Sequence, residues 1–344
     1  HTANRRQRQM CIRDRNIGTP DEPSVDSVRE YLREFLLDPD VIDIPAPLRH
    51  LIVRGIILRT RPRKIAPNYR SIWMEEGSPL RVYTQRMASS LEEKIAIPCE
   101  VGMRYGNPSI EQALRNLRKR GVDRVLLAPL FPHHAQATTE SSLKHAYKQL
   151  QKMEWYPETS ELGHFENNPS FITPLKNSIR PHIDEETHLL FSYHGLPLSH
   201  IYRADKSGSH CQKVGECCSI PTEANSSCYA HHCTMTTLAV VEALGLSDKD
   251  WSQSYQSRIG PVKWLRPSTK EKVDQLARQG IKNLVIVSPA FLADGLETLE
   301  ELNMEIREQF MEAGGEEMHL VRCLNDNPDW IDGLADLVRS ALNV

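Results

Sequence analysis

Apolar positions along the chain follow two rhythms. Val25, Val28, Tyr31, Leu32 and Phe35 recur at helical spacing behind a Gly18-Thr19-Pro20 turn, which predicts a helix there. Ser109–Arg120 is amphipathic, opens on a capping serine and stops at Gly121; the apolar run VDRVLLAPLF follows, closing on Pro129 and Phe131. The same grammar returns about 160 residues later. Ser268–Gln279 stops at Gly280, and IKNLVIVSPAF closes on Pro289 and Phe291. Another buried-strand pattern, Leu189–Tyr193, runs directly into His194-Gly195, and further helices are expected over Thr234–Leu244 and Asp294–Phe310.

Strands alternating with helices predict an α/β fold of parallel sheets with right-handed crossovers. The repeated grammar predicts two Rossmann-like domains related by duplication, with the second sheet starting near residue 180. Ligands of such sheets bind beyond the carboxyl ends of the strands, so the turns named above are expected to wall a cleft between the domains. The arginine-rich first fifteen residues, HTANRRQRQMCIRDR, show no apolar periodicity and read as a disordered or foreign tail. Arg13, Asp14 and Arg15 stand where a buried strand should precede the Gly18 turn, so the first strand is expected to be missing. The expected organisation is a tail at 1–15, an N-terminal domain at 16–175, a C-terminal domain at 176–325 with a Cys-rich insert at 207–233, and a terminal helix at 326–344.

Composition narrows the function classes. The chain has 344 residues, 40% hydrophobic and 25% charged, and 42 basic against 45 acidic side chains leave a net charge of −3. That balance argues against a basic nucleic-acid binder. No run of about 18 apolar residues exists; Leu48–Leu58 is short and broken by Arg49, His50, Arg54 and Gly55. No apolar signal region opens the chain, so a cytoplasmic protein is expected. No G-x-G-x-x-G, P-loop or G-x-S-x-G motif occurs.

Several positions could carry chemistry. A strand-end His194 followed by Gly195 lets a ligand approach closely; the plain alternative is a satisfied turn histidine. Glu297, Glu301 and Glu305 follow at i, i+4 and i+8, a stack of like charges that suits a cation or a proton path, or simply a solvated face. Trp251, Tyr255 and Trp264 surround a polar QSR and a Gly260-Pro261 turn, an arrangement suited to a flat anionic ligand or to ordinary core packing. Ile56–Lys64, with Arg59, Arg61, Arg63 and Lys64, reads as a basic lip for ligand carboxylates or lipid head groups, or as a solvated loop. Five of the eight cysteines, Cys211, Cys217, Cys218, Cys228 and Cys233, fall within 23 residues. Clustered thiols in a large chain favour metal over disulfides. An iron–sulfur cluster leads, with zinc and free or redox-active thiols as alternatives; no C-x-x-C pair supports a zinc ribbon.

NIGTPD, YRSIWMEEGSPL, GMRYGNPS, SYHGLP, QSRIGPVKWLRPST and FLADGLETLEEL, in this order, resemble ferrochelatases, the lyases that insert Fe(II) into a porphyrin to make haem. The resemblance runs from Asn16 to near the C-terminus and implies two Rossmann-like domains and cytoplasmic haem biosynthesis, on protoporphyrin IX or coproporphyrin III. It implies that His194 and Glu297 are the catalytic pair and contact the iron. Glu301 and Glu305 then belong to a metal or proton path, and Met103, Arg104, Tyr105, Phe131, Trp264 and Phe291 to the porphyrin contacts. The insert resembles the internal [2Fe–2S]-binding segments of some bacterial members, and a peripheral contact with the inner face of a membrane is compatible with the basic lip. Alternatives on the same fold are a cobalt or nickel tetrapyrrole chelatase and a non-catalytic haem- or metal-binding protein. The chain departs from the family at PLFPHHAQATT, where Phe131 and His133-His134 replace aromatics and glutamine, a change expected to alter porphyrin contacts or add metal affinity. It departs again at Gly295, a position often held by His or Cys.

Overall fold

The computed structural model describes residues 9–14 (backbone only), 18–258 and 262–343. Asn16 and Ile17 of NIGTPD and the Gly260-Pro261 turn lie outside the described residues. The chain forms two compact units: His1–Phe131 with Gln136–Gly163 and Asp326–Val344, and Pro132–Ala135 with His164–Asn325. The helix Pro328–Leu342 belongs to the first unit, where the fully buried Trp330 donates its Nε1–H to Met87 Sδ at 3.0 Å.

The first unit contains strands β1 (Gln9–Asp14), β2 (Gly18–Thr19), β3 (Cys99–Gly102), β4 (Tyr105–Gly106), β5 (Arg124–Leu127) and β6 (Glu158–Glu161). Its main sheet has the order β3-β1-β5-β6, all parallel, with β2 and β4 paired separately. The second unit contains β7 (Thr187–His194), β8 (Trp251–Gln256), β9 (Asn283–Val287) and β10 (Glu317–Leu320), in the parallel order β10-β9-β7-β8. Each sheet therefore places its second strand beside its first, then its third and fourth. In that arrangement the chain reverses direction across the sheet between the first and third strands, and ligands bind at this point. Here it falls between β7 and β9.

The repeated helices form as their caps dictate. Ser109 Oγ accepts from Gln112 N–H and Ser268 Oγ from Glu271 N–H, and Gly121 and Gly280 follow the helices at φ +72° and +88°. Their apolar faces close separate cores: Ile110, Leu114 and Leu117 pack with Val125 and Leu127, whereas Val273 and Leu276 pack with Leu190, Ile286 and Phe310.

Five expectations are corrected. The missing first strand is overturned, and with it the tail over residues 9–14, because Gln9–Asp14 is a strand at the centre of the first sheet, hydrogen-bonded to β3 and β5; the rest of the expected tail lies outside the described residues. A central parallel strand is held by backbone groups on both sides, which ask little of an alternating side-chain pattern. The helix predicted at Thr234 begins at Tyr229. Asp294–Phe310 is not one α-helix: Glu297–Ile306 is a π-helix and Arg307–Glu312 continues as α. Ile56–Lys64 is helical, within Val53–Ile57 (π) and Leu58–Ile72 (α). Pro62 has no N–H for the Leu58 carbonyl four residues back, and Arg29 Nε donates to that oxygen instead at 3.3 Å.

Candidate active site

His194 is the last residue of β7, and β8 runs beside it in register, His194 opposite Gln256. The next residue has to be small. A Cβ on Gly195 would stand 2.8 Å from Gln256 O and 3.4 Å from the Trp264 ring, and the Gly195 N–H donates to that same Gln256 carbonyl at 2.7 Å. Phe291, beyond β9, meets the His194 ring edge to face at 6.1 Å. Tyr229 Oη donates to the His194 carbonyl at 2.9 Å. These contacts fix the backbone and one face of the imidazole but leave Nδ1 buried without a hydrogen-bond partner. Burial lowers the imidazole pKa to about 4, so at neutral pH His194 is a neutral free base.

Glu297 begins the π-helix on the other side of the switch point. Asp294, fully buried, anchors this segment: it accepts from Thr298 Oγ1 at 3.0 Å and from Asn325 Nδ2 at 2.8 Å, and pairs with Arg322. Gly295 leaves space, since a Cβ there would lie 3.3 Å from Glu297 Oε2. Burial, reinforced by the neighbouring Glu301 charge, raises the Glu297 pKa to about 7. Glu301 is also raised by burial, against two hydrogen bonds from Ser257. Glu305 is more exposed and bonded to Lys270 Nζ at 3.1 Å. The three carboxyl groups thus pass from buried to exposed along one helix, whose π form is itself a frequent mark of functional segments.

Gln256 ties the two sides together. Its carbonyl holds Gly195, its Nε2 reaches Glu297 O at 3.4 Å, and its Oε1 accepts from Ser192 Oγ at 2.7 Å. Of the QSR motif, Gln256 ends β8 in register with His194 and Ser257 follows the strand; the run of polar residues itself carries no sign of either role, which depends on partners distant in the chain.

The other expected positions divide by unit. Met103, Arg104, Tyr105 and Phe131 belong to the first. Arg104 donates to Ser141 Oγ at 3.0 Å, pairs with Asp38 and lies over the Tyr105 ring, whose Oη donates to Asp38 at 2.7 Å. Trp264, in the second unit, is buried beside the Gly195 turn with Nε1 unpartnered. Trp251 does not join it: it starts β8 and packs on Phe191 at 6.2 Å, at the opposite end of the strand.

The cysteines separate as well. Cys217 and Cys218 Sγ lie 3.8 Å apart, and Cys228 shares hydrogen bonds with Cys211 and Cys218. Those bonds lower the Cys228 pKa, burial raises Cys211, and the bond to Cys228 raises Cys218. Asp205 holds the insert through the Cys211 and His210 N–H groups, each at 2.9 Å, and Asn225 through the Cys217 and Ile220 carbonyls. Cys233 stands apart, fully buried and hydrogen-bonded to Tyr229.

Among the described residues one trio, His164, Glu166 and His232, brings ligand atoms within 4.8 Å of one another. Both ring nitrogens of His232 are committed, Nδ1 accepting from His134 N–H at 3.1 Å and Nε2 donating to Ser226 O at 3.0 Å. His164 Nδ1 pairs with Glu166 Oε2 at 2.7 Å. His133 Nε2 bonds Thr236 Oγ1, which in turn donates to Glu166 O. A ligating imidazole normally donates through its second nitrogen, and His232 receives there instead. The group is a closed hydrogen-bonded cluster that fixes the His133-His134 turn.

The ferrochelatase family profile matches residues 15–342. The ferrochelatase of Azotobacter vinelandii is 44% identical over 94% of this chain and 97% of its own length, and that of Pseudomonas syringae pv. tomato 42% identical over 95% and 96%. In fold, the chain is similar to SirB from Bacillus subtilis with Fe3+, at a TM-score of 0.51 and 15% identity over 78% of this chain and 93% of that one. With its parallel sheets, its strand-end histidine and its glutamate helix, the chain belongs to the ferrochelatase family.

Proposed function

We propose that the chain inserts Fe(II) into a porphyrin, releasing the two pyrrole N–H protons, with His194 and Glu297 as the reacting pair. The observation that carries this reading is the place of Gln256 between the two residues: it is the register partner of His194, its carbonyl holds the adjoining Gly195, and its side chain reaches the Glu297 carbonyl. The two groups hold opposite protonation biases. His194 is neutral down to well below pH 7, so its unprotonated ring nitrogen can accept a pyrrole proton. Glu297 titrates near neutrality, so it can hold a proton or meet the incoming dication as a carboxylate. Trp264 and Phe291 are proposed as porphyrin contacts at this site, and Met103, Arg104, Tyr105 and Phe131 as further contacts on the strength of the family resemblance. The test is anaerobic incubation with Fe(II) or Zn(II) and either protoporphyrin or coproporphyrin, followed in the Soret band. Absence of insertion by folded protein with every pairing would refute the reading.

The insert is proposed to hold a [2Fe–2S] cluster through Cys211, Cys217, Cys218 and Cys228. Four thiols gathered as linked pairs fit the donor set of such a cluster. When bound, the cluster would supply one-electron redox chemistry. Anaerobically purified protein should be coloured, with about two irons per chain, and Cys211→Ser should lose the colour. Stoichiometric zinc without iron would contradict the assignment.

A cytoplasmic location with peripheral membrane contact is proposed for the segment carrying exposed Leu48, Leu51 and Ile56 beside Arg54, Arg59, Arg63 and Lys64. No helix among the described residues is long and apolar enough to cross a membrane. Sedimentation with anionic but not neutral vesicles tests this contact.

A further inference from the structure

Ser257, the residue after β8, has φ +60°. This left-handed conformation is uncommon outside glycine, asparagine and aspartate. Backbone demands alone would be met better by glycine, so the side chain must contribute something that glycine lacks. Both of its donors go to one carboxylate: the N–H to Glu301 Oε1 at 3.0 Å and Oγ to Glu301 Oε2 at 2.6 Å. The left-handed turn is what brings the N–H and the hydroxyl to the same side. Glu297, one helical turn earlier, is held differently, since the hydrogen bond its carboxyl makes is with its own backbone. The outer neighbours of Glu301 are Glu305 and Lys270, already paired with each other.

We infer that Ser257 is a positioning residue for the metal substrate: it fixes the Glu301 carboxylate behind Glu297, so that a dication passing along this helix face meets one oriented anion and one mobile one. The inference rests on the proposed insertion reaction and adds to it a residue that acts only through Glu301. Charge-assisted hydrogen bonds to a largely buried carboxylate are among the stronger polar contacts. Without the hydroxyl, Glu301 is left with one donor and the rotamer freedom to leave the path.

Ser257→Gly isolates this role, because glycine keeps the left-handed backbone and its N–H while removing Oγ. With porphyrin saturating and Fe(II) varied, the KM for Fe(II) should rise about tenfold, the equivalent of one charge-assisted hydrogen bond at the low end of its range. Porphyrin affinity, read by fluorescence quenching, should stay at the wild-type value. Calorimetric binding of Co(II) to porphyrin-free protein should weaken by a similar factor, independently of turnover. Ser257→Asn, which tolerates the backbone and restores a side-chain donor, should recover most of both losses. Unchanged Fe(II) KM and Co(II) affinity in Ser257→Gly would overturn the inference. Porphyrin affinity weakened as much as metal affinity would also overturn it, by making Ser257 a porphyrin contact. A wild-type protein that binds Co(II) but inserts no metal would defeat the insertion reading alone, and the Co(II) comparison would still decide the role of Ser257.

Discussion

The two sheets share one strand order, one pair of serine-capped helices and one pair of glycine stops, yet they differ in what stands at the reversal point. In the second unit the first strand is eight residues long, buried at its six inner positions, and ends on His194. The helix beyond the third strand opens on Glu297. In the first unit the equivalent strand is Gln9–Asp14, and the third strand leads to the buried Phe131. Burial of β7 on both faces makes it a rigid platform, and its last residue is the first one released from the core. Reactive groups need a fixed backbone and a side chain at the edge of the core together. The second unit has both at one position; the first repeats the scaffold with no imidazole at the end of its matching first strand.

The largest test of that contrast is His194→Ala. Removing the imidazole at the β7 end should lower insertion by a factor of about 10²–10⁴, the usual worth of a positioned acid–base group. Porphyrin should still bind, because the ring contacts proposed for Trp264 and Phe291 remain. Turnover near wild type would mean that the strand end is merely structural. The measurement is kcat with porphyrin affinity determined in parallel.

Glu297→Gln should cost less, about 10²-fold, and should change two pH profiles. The wild-type carboxyl pKa is raised to about 7, so below that pH the group is protonated and binds a dication poorly. The acid limb of kcat/KM for Fe(II) should therefore lie near pH 7, well above the His194 value of about 4. Stability follows the same group with its own sign. Between the unfolded carboxyl pKa near 4.5 and about 7, the folded state binds the extra proton, so stability falls as pH rises through this window. The amide introduced by Glu297→Gln has no proton to lose, so the variant should gain about 1–3 kcal/mol over wild type at about pH 8 and nothing at about pH 4. Denaturant midpoints at the two pH values decide it.

Much of this contrast is legible in the residues. Ser109, Gly121, Ser268 and Gly280 announce their helices because capping is local chemistry. Leu189–Tyr193 announces its strand because both faces are buried. Other features depend on partners that no local pattern encodes. The π-helix at Glu297–Ile306 differs from an α-helix by one residue in its hydrogen-bond span, and its apolar residues fit either. The turn of helix before Thr234 is hidden because His231 and His232 are polar yet buried, satisfied by the Cys218 and Ser226 carbonyls. The helix through Pro62 relies on Arg29, 33 positions earlier in the chain. Ser257 reveals its role only when Glu301 is brought to it.

The first strand can be tested against its neighbours directly. Ile12 pairs with Glu100 of β3 on one side and Leu127 of β5 on the other. Proline there removes an N–H from a central strand and should destabilise the protein by about 3 kcal/mol or more. The same substitution in a tail would change nothing, so a denaturation midpoint equal to wild type would restore the tail reading.

The smallest effect compares the matched caps. Ser109→Ala and Ser268→Ala each remove the oxygen that accepts an N–H three residues on, at a typical cost of about 1 kcal/mol. The two losses should not be equal. Ser268 belongs to a full capping box, in which Glu271 Oε2 also accepts from the Ser268 N–H at 3.1 Å, whereas Gln112 carries no reciprocal bond and turns instead to Asn116. In Ser268→Ala the backbone N–H survives, so the Glu271 bond remains and limits the damage; Ser109→Ala has no such remainder. The first unit's cap should therefore cost about a few tenths of a kcal/mol more, although its serine is the less elaborately bonded. Equal losses in urea titrations of the two variants would mean that the reciprocal bond contributes nothing once the hydroxyl is gone.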